Sequence, residues 1–125
     1  MEPTTQTEIA EISKYIDDNT APAFRNNETL ALFGRVGKVQ EEAGEVMAAL
    51  IGFTGENPRK GYTHTASDVV NELLDVALTA LCAVEHMVVN LDPLMQGSRL
   101  RYRCDNLSTA DLFNAHVHKV YKRLI

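Results

Sequence analysis

The sequence predicts an all-α protein, an antiparallel four-helix bundle. Stretches with apolar residues at three- and four-residue steps dominate the chain. Period-two alternation of β-branched residues is scarce, and Gly and Pro punctuate the chain at few places. A length of 125 residues, with 45% hydrophobic and 23% charged residues, fits one compact globular domain over 1–125.

The first helix is predicted over about Thr4–Asn19, where Ile9, Ile12 and Ile16 share one face, and Pro22 lies just beyond its end. The second is predicted over about Glu28–Phe53. Its stripe is Leu32, Val36, Val39, Ala43, Val46, Leu50 and Phe53, and Gly52 and Gly55 offer a stop. Residues 54–64 read as a turn-rich loop. Thr65 and Asp68 form a capping pair for a third helix over Ala66–Asn90. That helix is apolar on more than one face, which predicts a central position or a subunit interface, hence a homodimer or homotetramer. Residues 91–107 are looser, and Ser108 with Asp111 starts a fourth helix running toward Leu124. Short connections between long amphipathic helices favour antiparallel packing.

The net charge of −5 is uneven: residues 97–125 carry +4 and residues 1–96 carry −9. An acidic body is what a polycarboxylate metal site produces. The basic segment, with Arg99, Arg101, Arg103, Lys119, Lys122 and Arg123, either meets phosphates or an acidic neighbour or simply complements helix C-termini. Without a continuous basic face interleaved with aromatics, no nucleic-acid partner is expected. Cys82 and Cys104 lack zinc-ligand or disulfide-framework spacing. No signal-peptide pattern and no run long enough to span a bilayer is evident, so a cytoplasmic protein without a membrane partner is expected.

Two segments carry the chemistry. Lys38-Val39-Gln40-Glu41-Glu42-Ala43-Gly44-Glu45 lies on the second helix and Asn71-Glu72-Leu73-Leu74-Asp75 on the third. Glu42 and Glu45 are i,i+3 neighbours, and Glu72 and Asp75 repeat the spacing. Glu42 and Glu72 fall on or at the edge of the apolar stripes, where a solvated helix does not place acids. Carboxylates brought together there take up protons or bind a cation. An oxygen-only donor set suits Mg²⁺, with Mn²⁺ as a substitute, and Mg²⁺ held by carboxylates commonly partners substrate phosphates.

This pair of motifs, with its order, separation and internal Gly44, resembles the EExxE…ExxD signature of the MazG-like all-α nucleoside triphosphate pyrophosphohydrolases over roughly residues 25–90. The resemblance implies cleavage of an NTP or dNTP between the α- and β-phosphates, giving NMP and pyrophosphate. Carried over by position, it makes Glu42, Glu45, Glu72 and Asp75 the Mg²⁺ ligands. Glu41, with Glu42 and Glu45 in the catalytic group, would orient or deprotonate the attacking water or tune a second metal.

Arg35 and Lys38 each lie seven residues before an acid of the second helix, Glu42 and Glu45 respectively. Either is placed to hold a phosphate oxygen or to pair with a nearby carboxylate. Arg59, Lys60 and Tyr62 of the loop are further phosphate or base candidates. Thr79, Cys82, His86 and Asn90 continue a polar strip down the third helix. Among them His86 and Asn90 either contact a base or sugar or belong to a satisfied buried network. Family members often place Lys or Tyr on this strip, so Cys82 and His86 are a departure.

Two other readings compete. A ferritin-like di-iron bundle needs Glu-x-x-His on two helices, and the His is missing. A non-catalytic helical dimerisation or regulatory module would leave the acids solvated.

Overall fold

The computed structural model of the chain describes residues 1–90 and 107–125. All secondary structure among these residues is helical: α1 (Pro3–Asn19), α2 (Pro22–Arg25), α3 (Glu28–Thr54), α4 (Ala66–Asn90) and α5 (Thr109–Leu124). The four helices expected from periodicity are present with ends within a residue or so of their predicted limits. A fifth, the single turn α2, was not expected, because one turn is too short to leave a periodic signature. The basic cluster at Arg99, Arg101 and Arg103, and Cys104, lie outside the described residues.

Local chemistry accounts for the boundaries. Pro residues open α1 and α2, where a missing N–H costs nothing. Asn27 caps α3, its Oδ1 accepting from the Leu30 N–H at 3.1 Å. The α3 C-terminus closes through Gly55, whose φ of 70° is disfavoured for any other residue. The Gly55 and Glu56 amides both donate to the Ile51 carbonyl, at 2.9 and 3.3 Å. Helix α4 opens on the predicted capping box: the Thr65 N–H donates to Asp68 Oδ2 at 2.8 Å, and the Asp68 N–H to Thr65 Oγ1 at 3.2 Å. The bonds from Thr65 hold the Asp68 carboxyl below its ordinary value. Ser108 and Asp111 form a second such box at α5.

The chain divides into two compact units, residues 1–32 with 81–125, and residues 33–80. In the first, α1 and α5 pack together. Ile9, Cys82 and Ala83 are buried there beside the polar residues Ser13, Glu85, His86 and Thr109. The second unit comprises most of α3, the 55–65 loop and the first half of α4. Its loop folds back on α3, with the Thr63 N–H donating to the Gly52 carbonyl at 2.9 Å. Gly52 is buried, and a Cβ there would overlap the Thr63 hydroxyl and the His64 ring.

Apolar burial is sparse. Ile9, Ala49, Cys82 and Ala83 are the buried apolar residues that form the core among the described residues. In the second unit Phe33, Val36, Met47, Val70, Leu73 and Leu74 are all more than half exposed. No helix among the described residues is long and apolar enough to cross a membrane.

Candidate metal centre

The second unit brings the two acidic motifs together. Glu72 of α4 faces Glu42 and Glu45 of α3. One carboxylate oxygen from each of these three residues lies within 4.8 Å of the other two. Glu42 and Glu72 are half-buried, and Glu45 is exposed. Glu72 Oε2 is buried with no hydrogen-bond partner among the described residues. Such an oxygen is rare in folded proteins, where nearly all buried polar atoms are satisfied.

The electrostatics match the crowding. Desolvation pushes the Glu42 carboxyl above its ordinary value, and repulsion from Glu45 pushes it further. Attraction to Lys38 opposes the shift, while Asp75 adds to it. Asp75, the fourth expected ligand, is thus close enough to Glu42 to raise it, although it is not one of the three clustered carboxylates. An all-oxygen donor set, an orphaned buried oxygen and a carboxylate biased toward protonation together fit a hard divalent cation. Glu42, Glu45 and Glu72 are the residues that would hold it.

The other expected site residues are distributed as follows. Lys38 Nζ lies 3.1 Å from Glu41 Oε1 and 3.8 Å from Glu42 Oε1, so it bridges the exposed acid and the half-buried one. The Glu41 side chain points outward, 62% exposed. Arg35 is buried on α3 and engaged with a partner. Lys60 is exposed in the loop, as are Arg59 and Tyr62. That loop is a tight turn in which the Lys60 and Gly61 amides donate to the Asn57 carbonyl at 3.1 and 2.9 Å.

His86 and Asn90 belong to the first unit. The His86 ring is 3% exposed. Its Nδ1 lies 3.0 Å from Asp17 Oδ1, and its Nε2 lies 2.5 Å from Glu28 Oε1. The Asn90 amide donates to the His86 carbonyl at 2.9 Å. Beside this group, Glu85 Oε1 accepts from Gln6 Nε2 at 2.9 Å and from Thr109 Oγ1 at 2.8 Å. Gln6 Oε1 in turn accepts from the Ala110 N–H at the start of α5, at 2.8 Å. The sequence reading included a buried network around His86 but named neither Asp17, Glu28 nor Glu85. An available signal was the Glu85-His86 pair inside the otherwise apolar run from Leu81 to Val89.

No family model, curated protein or solved structure matches the chain.

Proposed function

We propose that the protein is a Mg²⁺-dependent nucleoside triphosphate pyrophosphohydrolase of the MazG-like kind, built as a homo-oligomeric helical bundle. The observation that carries this reading is the convergence of Glu42, Glu45 and Glu72 from two helices, together with a buried Glu72 Oε2 that has no hydrogen-bond partner among the described residues. In the reaction, water adds at the α-phosphorus and pyrophosphate leaves, giving NMP. When bound, Mg²⁺ would neutralise the phosphate oxygens and the charge that builds on them in the transition state.

The chain's own residues have definite parts in this scheme. Glu42, Glu45 and Glu72, with Asp75 close enough to act on Glu42, supply the negative charge that selects a cation. Lys38 lies at the edge of the cluster, where it can exchange Glu41 for a phosphate oxygen. That exchange would free Glu41 to accept a proton from the attacking water. Lys60, on its exposed turn, is a second phosphate contact.

The oligomer has separate support. At about 100° per residue, Val36, Met47 and Ile51 lie a third to a half of a turn away from Glu42. Val70, Leu73 and Leu74 are displaced likewise from Glu72. These exposed apolar side chains therefore form a face distinct from the carboxylates, of the kind subunit contacts cover. The same face also suits the alternative of a non-catalytic dimerisation module, and the carboxylate cluster is what favours the enzyme.

The test is release of pyrophosphate from a panel of NTPs and dNTPs, with and without Mg²⁺, for wild type and Glu42→Gln. Mg²⁺-dependent release that the variant loses by at least about a hundredfold supports the enzyme, given what comparable charge-stabilising groups contribute. A folded protein that binds no Mg²⁺ and releases nothing returns the assignment to the dimerisation module.

A further inference from the structure

Helix α5 is tied to the first unit at its first turn, where Thr109 is buried against Glu85 and the Ala110 N–H donates to Gln6. From residue 113 to residue 125 every residue except the half-buried Val120 is exposed. Phe113, Val117, Val120 and Leu124 nevertheless recur at four- and three-residue steps, with Tyr121 beside them. At about 100° per residue they form one apolar stripe. Most of a helix's stability in a protein comes from packing such a stripe, and this one is largely open to water.

The charge of this segment is one-sided. Residues 112–125 carry Lys119, Lys122 and Arg123 and no acidic side chain. Arg123 and Lys119 lie about 60° and about 100° round the helix from Val120, along one border of the stripe.

The second unit, residues 33–80, offers the complement, with seven acidic residues against four basic ones. On α3, the exposed Phe33 and Ile51 are five turns apart in line with each other. The exposed Gly37 and Gly44 lie within about 40° of that line, and a Cβ at either would meet nothing within 4 Å. Glycine inside an exposed helix weakens it relative to Ala, and it allows another backbone to come close. Glu41 and Glu45, both exposed, border the glycines on the side away from Phe33. Lys38 pairs with Glu41, but with Glu42 and Glu45 in the same stretch this border stays negative. Helix α3 thus presents an apolar track bordered by acids, and α5 an apolar stripe bordered by cations.

We propose that α5 of one copy docks along this α3 face of a second copy, with Lys119 and Arg123 against Glu41 and Glu45. Charge selects this pairing: α5 on α5, or α3 on α3, would bring like-charged surfaces together in a twofold dimer. The crossed pairing forms twice in such a dimer, each copy giving its α5 and receiving the other's. The proposal rests on the oligomer of the reading above and needs neither metal nor nucleotide.

The test is sedimentation velocity of the full chain in EDTA, so that metal binding plays no part. It uses two charge reversals at exposed positions: Lys119→Glu with Arg123→Glu, and Glu41→Lys with Glu45→Lys. Wild type is expected to associate, and each reversal to raise the dissociation constant at least about tenfold, as juxtaposed like charges do. An equimolar mixture of the two variants is expected to regain the wild-type affinity, because both crossed contacts between unlike chains are again oppositely charged. Gly44→Gln gives a readout independent of the reversals. It meets nothing within the chain, so helicity should be at least that of wild type while association weakens by a similar factor. Wild type that stays monomeric at hundreds of micromolar overturns the docking together with the oligomer. An oligomer indifferent to both reversals and to Gly44→Gln, or folded variants whose mixture does not recover, overturns the docking and leaves the oligomer standing. Pyrophosphate release, assayed separately, decides the enzyme.

Discussion

Replacing Glu42 by Gln is predicted to have opposite effects on stability with and without Mg²⁺. In metal-free protein the ionised Glu42 sits half-buried against Glu45 and Glu72, and both burial and repulsion raise its carboxyl. An amide of the same shape removes that repulsion, so metal-free Glu42→Gln should melt at a higher temperature than wild type. With Mg²⁺ the order reverses. One carboxylate oxygen from each of Glu42, Glu45 and Glu72 lies within 4.8 Å of the other two, and these residues would hold the ion. At a hundredfold excess over its dissociation constant, Mg²⁺ binding stabilises the folded state by about 2.7 kcal/mol. For a chain of this size that corresponds to a rise of about 10 °C. The assay is calorimetry or thermal circular dichroism of both proteins in EDTA and across a Mg²⁺ titration, at constant ionic strength. A solvated acidic patch behaves differently, with only small salt-like shifts common to both proteins. Parallel titration curves for wild type and Glu42→Gln would therefore refute the metal centre.

Further predictions test other parts of the structure. Glu42, raised in the folded state, contributes most to stability when protonated, and that contribution is lost as pH climbs through its folded value; the metal-free difference between wild type and Glu42→Gln should widen accordingly in unfolding titrations. Asp68 is held low, so its contribution is present above its unfolded value and is lost as pH falls through the lower folded one; Asp68→Asn should flatten the acid limb of the stability profile. Glu85→Ala leaves the fully buried Thr109 hydroxyl and the Gln6 amide without their acceptor, and should cost about 2–4 kcal/mol in urea unfolding. Gly52→Ala forces a Cβ into the Thr63 and His64 side chains, and should cost about 1–3 kcal/mol while raising protease cleavage within the 55–65 loop.

The helices were legible because their signals are local. The Thr65–Asp68 pair predicts the start of α4, and the structure forms both of its hydrogen bonds. The three- and four-residue periodicity of α3 persists long enough to define its ends. Both i,i+3 acid pairs could be read on paper, and the structure brings three of their four members together. What escaped the sequence was pairing at a distance. Asp17 and Glu28 lie 69 and 58 residues from His86, and no helical period connects them. Glu85 reads as one more charge on a helix until Gln6 and Thr109 are found against it.

Burial of polar groups on α4 separates these two sets of residues by their physical consequences. Removing a carboxylate from water is costly unless hydrogen bonds or an opposite charge replace what water supplied. Glu85 meets that requirement within the chain, through Gln6 and Thr109, and His86 meets it through two acids. Glu72, on the same helix, does not among the described residues: its Oε2 is buried with no hydrogen-bond partner there, and the other members of its cluster are two further carboxylates. The fold thus satisfies two of these ionisable groups from its own residues, and the third has an oxygen with no hydrogen-bond partner among the described residues. In the proposed reading, a cation at Glu42, Glu45 and Glu72 would supply an opposite charge there. For this reason the Mg²⁺ titration, rather than the search for a preferred nucleotide, is the experiment on which the functional reading first depends.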